Sequence, residues 1–174
     1  MFRFVVLLLC GLLSSSLATD VKRCDGDKPF PLEVRVKGCE VPPCDIVKGT
    51  SVDMEIHFVT YKSVTKATTL VKAKTMGLTV PYELPEEVRN VCPNLLYGAY
   101  CPLYPTEDVT YLFLFPIASH YPEISVTVEI YIENQDSELL TCFRCDIKVK
   151  KGNAGGSTKE IEHQLDNVNA TLVY

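Results

Sequence analysis

The sequence predicts an all-β fold in which antiparallel strands form a sandwich or a barrel. Apolar and polar residues alternate in short runs along most of the chain, and turn-forming residues separate these runs. No run of similar strength shows the 3.6-residue period of an amphipathic helix. After the N-terminal residues, the longest apolar segment and the clearest alternation are neighbours, in residues 111–132. The fold is therefore expected to be organised around this segment.

Residues 111–132 are expected to form a hairpin. The first arm, residues 110–115, is apolar on both faces, which is typical of a strand covered on both sides. In the second arm, residues 124–133, aliphatic residues occupy every other position, so one face is expected to be buried. The turn between the arms carries two prolines and is expected to expose Ile117 and Tyr121 at its tip. Apolar side chains exposed to water in a turn are unfavourable, so these two residues are expected to have a role other than forming the turn.

Four further runs are expected to be strands with one buried face, the run of residues 69–75 being the weakest. The residues on these predicted faces are Leu32, Val34, Val36, Val52, Met54, Ile56, Phe58, Thr69, Val71, Ala73, Thr75, Phe143, Cys145, Ile147 and Val149. Residues 78–85 contain Pro81 and Pro85, and two prolines in one strand favour the edge of a sheet.

Residues 1–18 are predicted to be a secretory signal peptide. Arg3 supplies a positive charge, residues 4–13 form a short apolar segment, and residues 16–18 are small enough for cleavage. The apolar segment is shorter than the roughly 20 residues that a membrane-spanning helix needs. The mature chain is therefore expected to be soluble and secreted, with one domain in residues 19–150.

The charge of the mature chain argues against nucleic acids and other polyanions as partners. Removing Arg3 from the 17 basic residues leaves a net charge of about −6 against 22 acidic residues, before histidine is counted.

The protein is expected to be a monomer.

The cysteines predict a disulfide framework. Of the eight cysteines, Cys10 leaves with the signal peptide, and an odd number remains. In an oxidising compartment this implies three disulfides and one free or intermolecular thiol. Spacing favours only two short loops, Cys39 to Cys44 and Cys92 to Cys101, so the third disulfide must be long-range.

Residues 151–174 are expected to form a C-terminal extension. Its first part, residues 152–157, has the composition of a flexible linker. Residues 157–160 match a helix capping box, and Ile161, Leu165, Val168 and Leu172 follow at helical spacing. A short amphipathic helix and a tail without regular structure are equally good interpretations, because a helix of this length is marginal alone. Asn169 begins a glycosylation sequon.

Several motifs carry a resemblance to a known family. They are Gly38-Cys39-Glu40-Val41-Pro42-Pro43-Cys44, Ile46-Val47-Lys48-Gly49, Met76-Gly77 to Pro85, Cys92, Cys101-Pro102, Tyr121-Pro122 and Cys142. Together they resemble the Niemann-Pick type C2 proteins, which belong with the mite group 2 allergens to the ML (lipid-recognition) domain superfamily. The resemblance spans residues 24 to about 150 and does not cover the extension.

The resemblance implies an immunoglobulin-like β-sandwich whose two sheets enclose an apolar tunnel for a lipid. It also implies the pairing of the cysteines. The implied pairs are Cys24 with Cys142, Cys39 with Cys44, and Cys92 with Cys101. The two local pairs agree with the spacing.

The resemblance further implies where a ligand enters. In the family an aromatic residue in the proline-rich segment, and an aliphatic residue and a tyrosine in the later turn, flank the entrance; the matching residues are Tyr82, Ile117 and Tyr121. Tyr82 departs from the commoner phenylalanine and adds a hydroxyl for a ligand's polar end. Inward-facing strand residues are candidates for the tunnel wall, although each fits the sandwich core equally well. These candidates are Val36, Met54, Val71, Val80, Phe115, Ile124, Val126, Val128, Phe143 and Ile147.

Cys145 stands where the family has an aliphatic residue. Its position in the alternation places it beside Phe143 and Ile147, facing inward. We expect a small buried side chain with an inert thiol rather than a reactive cysteine. The spacing from Cys142 to Cys145 resembles a redox motif, but such motifs open a helix, and no second pair completes a zinc site.

The sequence offers little chemistry for catalysis. No nucleophile elbow, phosphate loop or two-histidine metal motif is present, so no enzyme activity, cofactor or metal is expected. His57 lies on the polar face of a strand and His163 in the extension. Catalytic residues far apart in sequence would escape this search.

The predicted function is a non-enzymatic carrier that holds one apolar ligand between its sheets. The resemblance implies cholesterol or a related sterol in an extracellular or endolysosomal setting, or else a fatty acid, with a membrane lipid-transfer receptor as a partner. The alternative is an immune module that presents bacterial lipids to a receptor. Because histidine titrates near pH 6.5, His120 beside Tyr121 is a further candidate, which would tune release with acidity.

Overall fold

A computed structural model describes residues 18–152, which form two packed β-sheets. The strands are β1 (Lys22–Arg23), β2 (Glu33–Val36), β3 (Cys44–Val47), β4 (Ser51–Val59), β5 (Ala67–Thr75), β6 (Leu78–Tyr82), β7 (Asp108–Pro116), β8 (Ser125–Asn134) and β9 (Leu139–Lys150). The helical elements are α1 (Glu86–Arg89) and one turn of 3-10 helix (Cys92–Asn94). The predicted signal peptide, apart from Ala18, and the predicted helix and sequon of the extension lie outside the described residues.

The larger sheet has six strands and the smaller has three. In the larger sheet the order is β1-β9-β8-β5-β6, and β3 pairs in parallel with β9 beside β1. In the smaller sheet the order is β2-β4-β7. The predicted all-β sandwich is confirmed, and the proline-containing strand β6 lies at a sheet edge as predicted.

The predicted central hairpin is wrong. Strand β7 pairs with β4 in the smaller sheet, whereas β8 pairs with β5 and β9 in the larger sheet. The segment between β7 and β8 therefore crosses from one sheet to the other. Periodicity showed two adjacent strands, but it carries no information about which strand each one pairs with.

Two expectations about exposure in this region are also wrong. Strand β7 is covered on one face only, and Leu114 on its other face is exposed. Ile117 is buried rather than displayed at the tip of a turn, and Tyr121 is half-buried. The segment after β7 folds inward over the space between the sheets, which explains why it can carry apolar side chains.

Most of the other predicted buried faces are confirmed. On β4 the side chains of Val52, Met54, Ile56 and Phe58 are all buried, and on β9 those of Phe143, Cys145, Ile147 and Val149 are buried. Leu32 is an exception, since it precedes β2 and is exposed.

Three disulfides and the hydrogen bonds of Thr19 hold parts of the sandwich together. The three disulfides are Cys24–Cys142, Cys39–Cys44 and Cys92–Cys101, as the resemblance implied. Thr19 lies along the outer edge of β2, where its N–H donates to the carbonyl of Val34 (2.7 Å) and its hydroxyl donates to the carbonyl of Cys39 (2.6 Å). Within residues 18–152, no helix is long and apolar enough to cross a membrane.

Candidate functional site

An apolar cavity opens between the two sheets at one end of the sandwich. Its volume is about 420 Å³. Its lining residues are Ala73, Thr75, Val80, Pro81, Tyr82, Glu83, Phe115, Ile117, Tyr121, Pro122, Ile124, Val126, Val128, Ile147 and Val149. Glu83 is the one carboxylate among them, and none of them is a lysine, an arginine or a histidine. The cavity therefore suits a ligand that is almost entirely apolar.

The β5–β6 hairpin places one wall of the cavity. Its turn consists of Met76 and Gly77, both with positive φ (48° and 78°), which is the geometry that joins two antiparallel strands with two residues. The pairing of Val71 with Tyr82 then brings the Tyr82 ring to the mouth of the cavity. Because β6 is an edge strand, its other side is not covered by a further strand.

Aromatic rings form the rim and the floor of the mouth. The Tyr82 ring lies 5.0 Å from that of Phe115 and 5.6 Å from that of Tyr121, measured between ring centroids. Deeper in the core, the ring of Phe113 stacks on Phe115 at 5.5 Å. The contacts of Tyr82 hold the rings of Tyr82, Phe115 and Tyr121 together, so the mouth is formed before a ligand arrives.

The hydroxyl of Tyr82 is already engaged. It donates a hydrogen bond to the carbonyl of Pro116, the last residue of β7. Burial raises the pKa of Tyr82 above its usual range, with the neighbouring Tyr121 as the next cause. The hydroxyl therefore ties β6 to β7 across the mouth, and toward a ligand it is available only as an acceptor.

Most of the predicted site residues line this cavity. The three predicted for the entrance do so: Tyr82, Ile117 and Tyr121. Of the predicted wall, the lining residues are Val80, Phe115, Ile124, Val126, Val128 and Ile147. The remaining four, Val36, Met54, Val71 and Phe143, are buried in the core and do not line the cavity. Contact between any of these residues and a ligand stays a prediction.

The sequence analysis missed six lining residues: Ala73, Thr75, Pro81, Glu83, Pro122 and Val149. Ala73, Thr75 and Val149 lie on predicted inward faces, so the alternation could have indicated them. Nothing in the sequence separates Glu83 from the solvated carboxylates of other loops.

Two other groups of residues are weaker candidates for a functional site. A larger hollow of about 760 Å³ lies on the outer face of the smaller sheet, but charged side chains line much of it and are paired with one another, as in Arg35 with Glu33 and Lys37 with Asp53. Cys24, Cys142 and Glu129 lie together, but both sulfurs belong to a disulfide and cannot bind a metal.

The two described histidines do not form a catalytic group with the cavity. His57 contacts Asp108 on the outer face of the smaller sheet. His120 is exposed and packs on Tyr121, with the ring centroids 4.8 Å apart. A role of His120 in acid-dependent release stays a prediction.

A β-sandwich with an apolar cavity between its sheets, three disulfides and aromatic residues at the mouth defines a class of small-molecule-binding domains. Residues 18–149 match the family model described as the ML domain, and the chain belongs to this family. The resemblance found in the sequence is thereby confirmed.

Named relatives and a solved structure also match this chain over most of their own length. The chain is 28% identical over 150 residues to "NPC intracellular cholesterol transporter 2" of Mus musculus, covering 85% of this chain and 97% of the relative. It is 25% identical over 152 residues to "NPC intracellular cholesterol transporter 2 homolog a" of Drosophila melanogaster, covering 86% and 100%. Among solved structures, a Niemann-Pick type C2 protein from the Japanese carpenter ant superposes with a TM-score of 0.63 at 19% identity, covering 75% of this chain and 98% of that one.

Proposed function

We propose that this protein is a secreted carrier that takes one sterol, or a neutral lipid of similar shape, into the cavity between its sheets. The observation that carries the proposal is the apolar cavity that opens at the aromatic mouth. Its volume falls within the range of about 300–1,000 Å³ that is usual for sites of small molecules. Relatives named as cholesterol transporters match nearly their whole length to this chain.

The charge of the lining favours a neutral ligand. Glu83 at the mouth would repel a carboxylate or a phosphate, and the lining has no cation to pair with one. A sterol presents a single hydroxyl, which can donate to Glu83 or to the hydroxyl oxygen of Tyr82. A fatty acid or a phosphorylated bacterial lipid would bring an anion without a partner. The lining therefore supports the sterol carrier over the presentation of bacterial lipids.

Binding through apolar contact sets the scale of the affinity. A sterol of about 28 heavy atoms at about 0.3 kcal/mol per atom gives about 8 kcal/mol, which corresponds to a micromolar dissociation constant or better. No step of bond making or breaking is part of this proposal, and the protein is proposed to act without a cofactor.

The test removes one ring from the mouth at a time. Tyr82→Ala or Tyr121→Ala deletes an aromatic contact of about 1.5 to 3 kcal/mol, so the Kd for the fluorescent sterol dehydroergosterol should rise about ten- to hundredfold. Tyr82→Phe keeps the ring and should bind within a few-fold of the wild type. Tyr97→Ala is the matched control, because Tyr97 is 82% exposed and does not line the cavity.

Circular dichroism should be the same for all four variants. Wild-type affinity in both Tyr82→Ala and Tyr121→Ala would show that the sterol enters elsewhere. Transfer of the sterol between vesicles then separates a carrier from a module that only recognises lipid, because a module of that kind would bind without speeding transfer.

A further inference from the structure

Three exposed tyrosines lie together at the end of the sandwich opposite the mouth. Tyr97, Tyr100 and Tyr104 are 82%, 75% and 60% exposed, and all three line one hollow of about 380 Å³, which we call the tyrosine hollow. Asp108, the first residue of β7, also lines this hollow, whereas Pro116, the last residue of β7, lies at the mouth. At about 3.3 Å per residue, the strand between them is about 26 Å long. The tyrosine hollow is therefore separate from the lipid cavity.

The loop that carries the tyrosines is fixed to the rest of the domain. The Cys92–Cys101 disulfide closes it, and the buried Leu103 exchanges two backbone hydrogen bonds with Val64, each of 2.9 Å. The N–H of Leu96 donates to a carbonyl of β7 (2.8 Å). Because the backbone is already held in place, little conformational entropy is lost when a partner contacts the exposed rings.

Tyr97 has a backbone conformation that tyrosine rarely adopts. Its φ is 57°, in the left-handed region, and that of the following Gly98 is 81°. Glycine reaches such angles without a steric clash, whereas a bulky side chain is strained there. Strained residues cluster at functional sites, and the exposed ring of Tyr97 does not belong to the core. The ring is therefore a candidate for contact with a partner.

The charges of the tyrosine hollow favour a cation. Its charged lining residues are Glu107 and Asp108. Glu107 uses Oε2 to accept the N–H of Tyr104 (2.9 Å), and Asp108 uses Oδ1 to contact His57. The second oxygen of each carboxylate has no hydrogen bond to any residue that the structure describes. Tyrosine rings attract cations over their faces, so the rings and the carboxylates favour the same kind of group.

A neighbouring hollow extends this negative surface. Tyr97 also lines a hollow of about 260 Å³ on the outer face of the smaller sheet, together with Glu33, Arg35, Glu55 and His57. Arg35 is shared by two carboxylates, at 2.6 Å from Glu33 and 3.5 Å from Glu55. Together the two hollows have four carboxylates against one arginine, which is a net charge of −3 with the histidine neutral. Such a surface attracts a cationic partner.

We propose that this end of the sandwich, from Tyr104 across Tyr97 to Glu55, binds a basic segment of another protein. Arginine or lysine side chains of that segment lie over the tyrosine rings and beside the free carboxylate oxygens. Tyrosines are frequent among the residues that contribute most to protein interfaces. The binding does not depend on the proposed function. If that function holds, the partner can retain the carrier while lipid enters or leaves at the other end.

The test follows the backbone amide resonances of the ¹⁵N-labelled full chain while a peptide is added. The probe is a capped peptide of three Gly-Arg repeats. In the matched control peptide citrulline replaces arginine, which keeps the shape of the side chain and removes its charge. The arginine peptide should shift the amides of residues 96–108 and leave those of residues 117–124 at the mouth unchanged. The citrulline peptide should shift neither group.

Variants of the rings test the contact directly. Tyr97→Ala with Tyr100→Ala should weaken binding of the arginine peptide about tenfold or more, because both exposed rings are lost. Tyr97→Phe keeps the ring and should bind within about twofold of the wild type. The control Met76→Ser with Leu78→Ser changes exposed apolar residues at the opposite end and should bind like the wild type.

Variants of the carboxylates test the charge. Glu107→Gln with Asp108→Asn keeps an oxygen acceptor at both positions, so the contacts with Tyr104 and His57 can persist. Binding of the arginine peptide should weaken about fivefold at low salt and by less at physiological salt, where exposed charges are screened. Equal binding by this variant and the wild type at low salt would overturn the proposed role of the charges.

Three results would overturn the proposal as a whole. The first is that the arginine peptide leaves residues 96–108 unshifted, or shifts them no more than the citrulline peptide does. The second is that maltohexaose shifts these amides and the arginine peptide does not, because the tyrosines would then bind a sugar. The third is that the same shifts appear without peptide as the protein concentration rises, because a second copy would then cover this surface.

Discussion

Cys145 is a thiol held next to a disulfide. Its side chain is 1% exposed, and its Sγ lies 3.8 Å from the Sγ of Cys44, which is bonded to Cys39. Burial raises the pKa of Cys145 to about 12, with the nearby Asp146 as the next cause. The thiolate, which is the reactive form, is therefore scarce near neutral pH, and the side chain serves as a small apolar residue.

This environment predicts slow labelling of the native protein. A bulky maleimide at pH 7.5 should leave Cys145 unmodified over hours and should label one cysteine per chain once denaturant exposes the core. Mass spectrometry of the intact protein measures both states, and Cys145→Ala is the control that should add no label in either. Rapid labelling of the native wild type would show that the thiol is accessible.

The hydroxyl group of Tyr82 has a structural role at the mouth of the cavity. The sequence suggested that its hydroxyl would serve a ligand, whereas in the structure the hydroxyl donates to the backbone of β7. This contact joins β6 of the larger sheet to β7 of the smaller sheet at the mouth of the cavity. The ring is thus proposed to contact the ligand and the hydroxyl to hold the mouth together.

At the level of the element, β8 carries a buried charge on its outer face. Glu129 is 4% exposed, and its carboxylate lies 2.8 Å from Nζ of Lys74 and 3.5 Å from Nζ of Lys28. Burial alone would raise the pKa of Glu129, but the hydrogen bond from Lys74 and the charges of both lysines lower it below the ordinary value. The charged form of Glu129 is therefore stabilised by folding.

A lowered pKa fixes the sign of the pH dependence. The stabilisation by Glu129 is present above the ordinary carboxyl pKa of about 4.3 and is lost as the pH falls through the lower value of the folded state. Glu129→Gln should reduce the free energy of unfolding by about 1 to 3 kcal/mol at pH 7, and by much less at pH 3. Urea denaturation at both values measures the difference.

Glu133→Gln is the matched control, since Glu133 is on the same face of β8 and forms no ion pair with any residue of the described domain. Equal stability of Glu129→Gln and the wild type at pH 7 would show that the burial of the carboxylate offsets its pairing.

The β5–β6 hairpin predicts how the protein, in its proposed role as a carrier, would meet a membrane. Met76 and Leu78 extend the apolar rim into solvent, where they can enter a lipid surface. Met76→Ser with Leu78→Ser should slow sterol transfer from vesicles several-fold and change the equilibrium Kd by less than twofold. Val41→Ser is the control, because Val41 is exposed but lies away from the mouth. Unchanged transfer would exclude the hairpin from membrane contact.

At the level of the whole molecule, the strand faces could be predicted from the sequence, but the arrangement of the strands could not. The alternation on β4 and β9 identified the buried sides because each strand buries one face. The same alternation is silent on pairing, so β7 and β8 were wrongly joined in a hairpin. The long-range disulfide Cys24–Cys142 and the lining residues Tyr82, Ile117 and Tyr121 came from the family resemblance, which carries three-dimensional information, whereas spacing already favoured the two short disulfides.

The position of an inward-facing residue along its strand decides whether that residue lines the cavity. Met54, Val71 and Phe143 face inward like Val126 and Ile147, yet only the latter two line the cavity. Alternation tells which side of a strand is buried, but it does not tell how far the sheets separate at each position. The cavity lies where side chains of both sheets and of residues 117–124 leave space between them, and that space depends on the packing of all these parts at once.

The cavity occupies one end of the sandwich, and buried aromatic side chains fill the core farther from its mouth. Tyr111 and Phe113 stack in the closed part of the core, and the Cys92–Cys101 disulfide fixes the loop that leads into β7. This part of the core does not line the cavity, so the fold is expected to persist when the cavity is empty. In the proposed role, one molecule can load and unload many times, so the amount of lipid moved depends on the number of cycles per molecule as well as on the number of molecules.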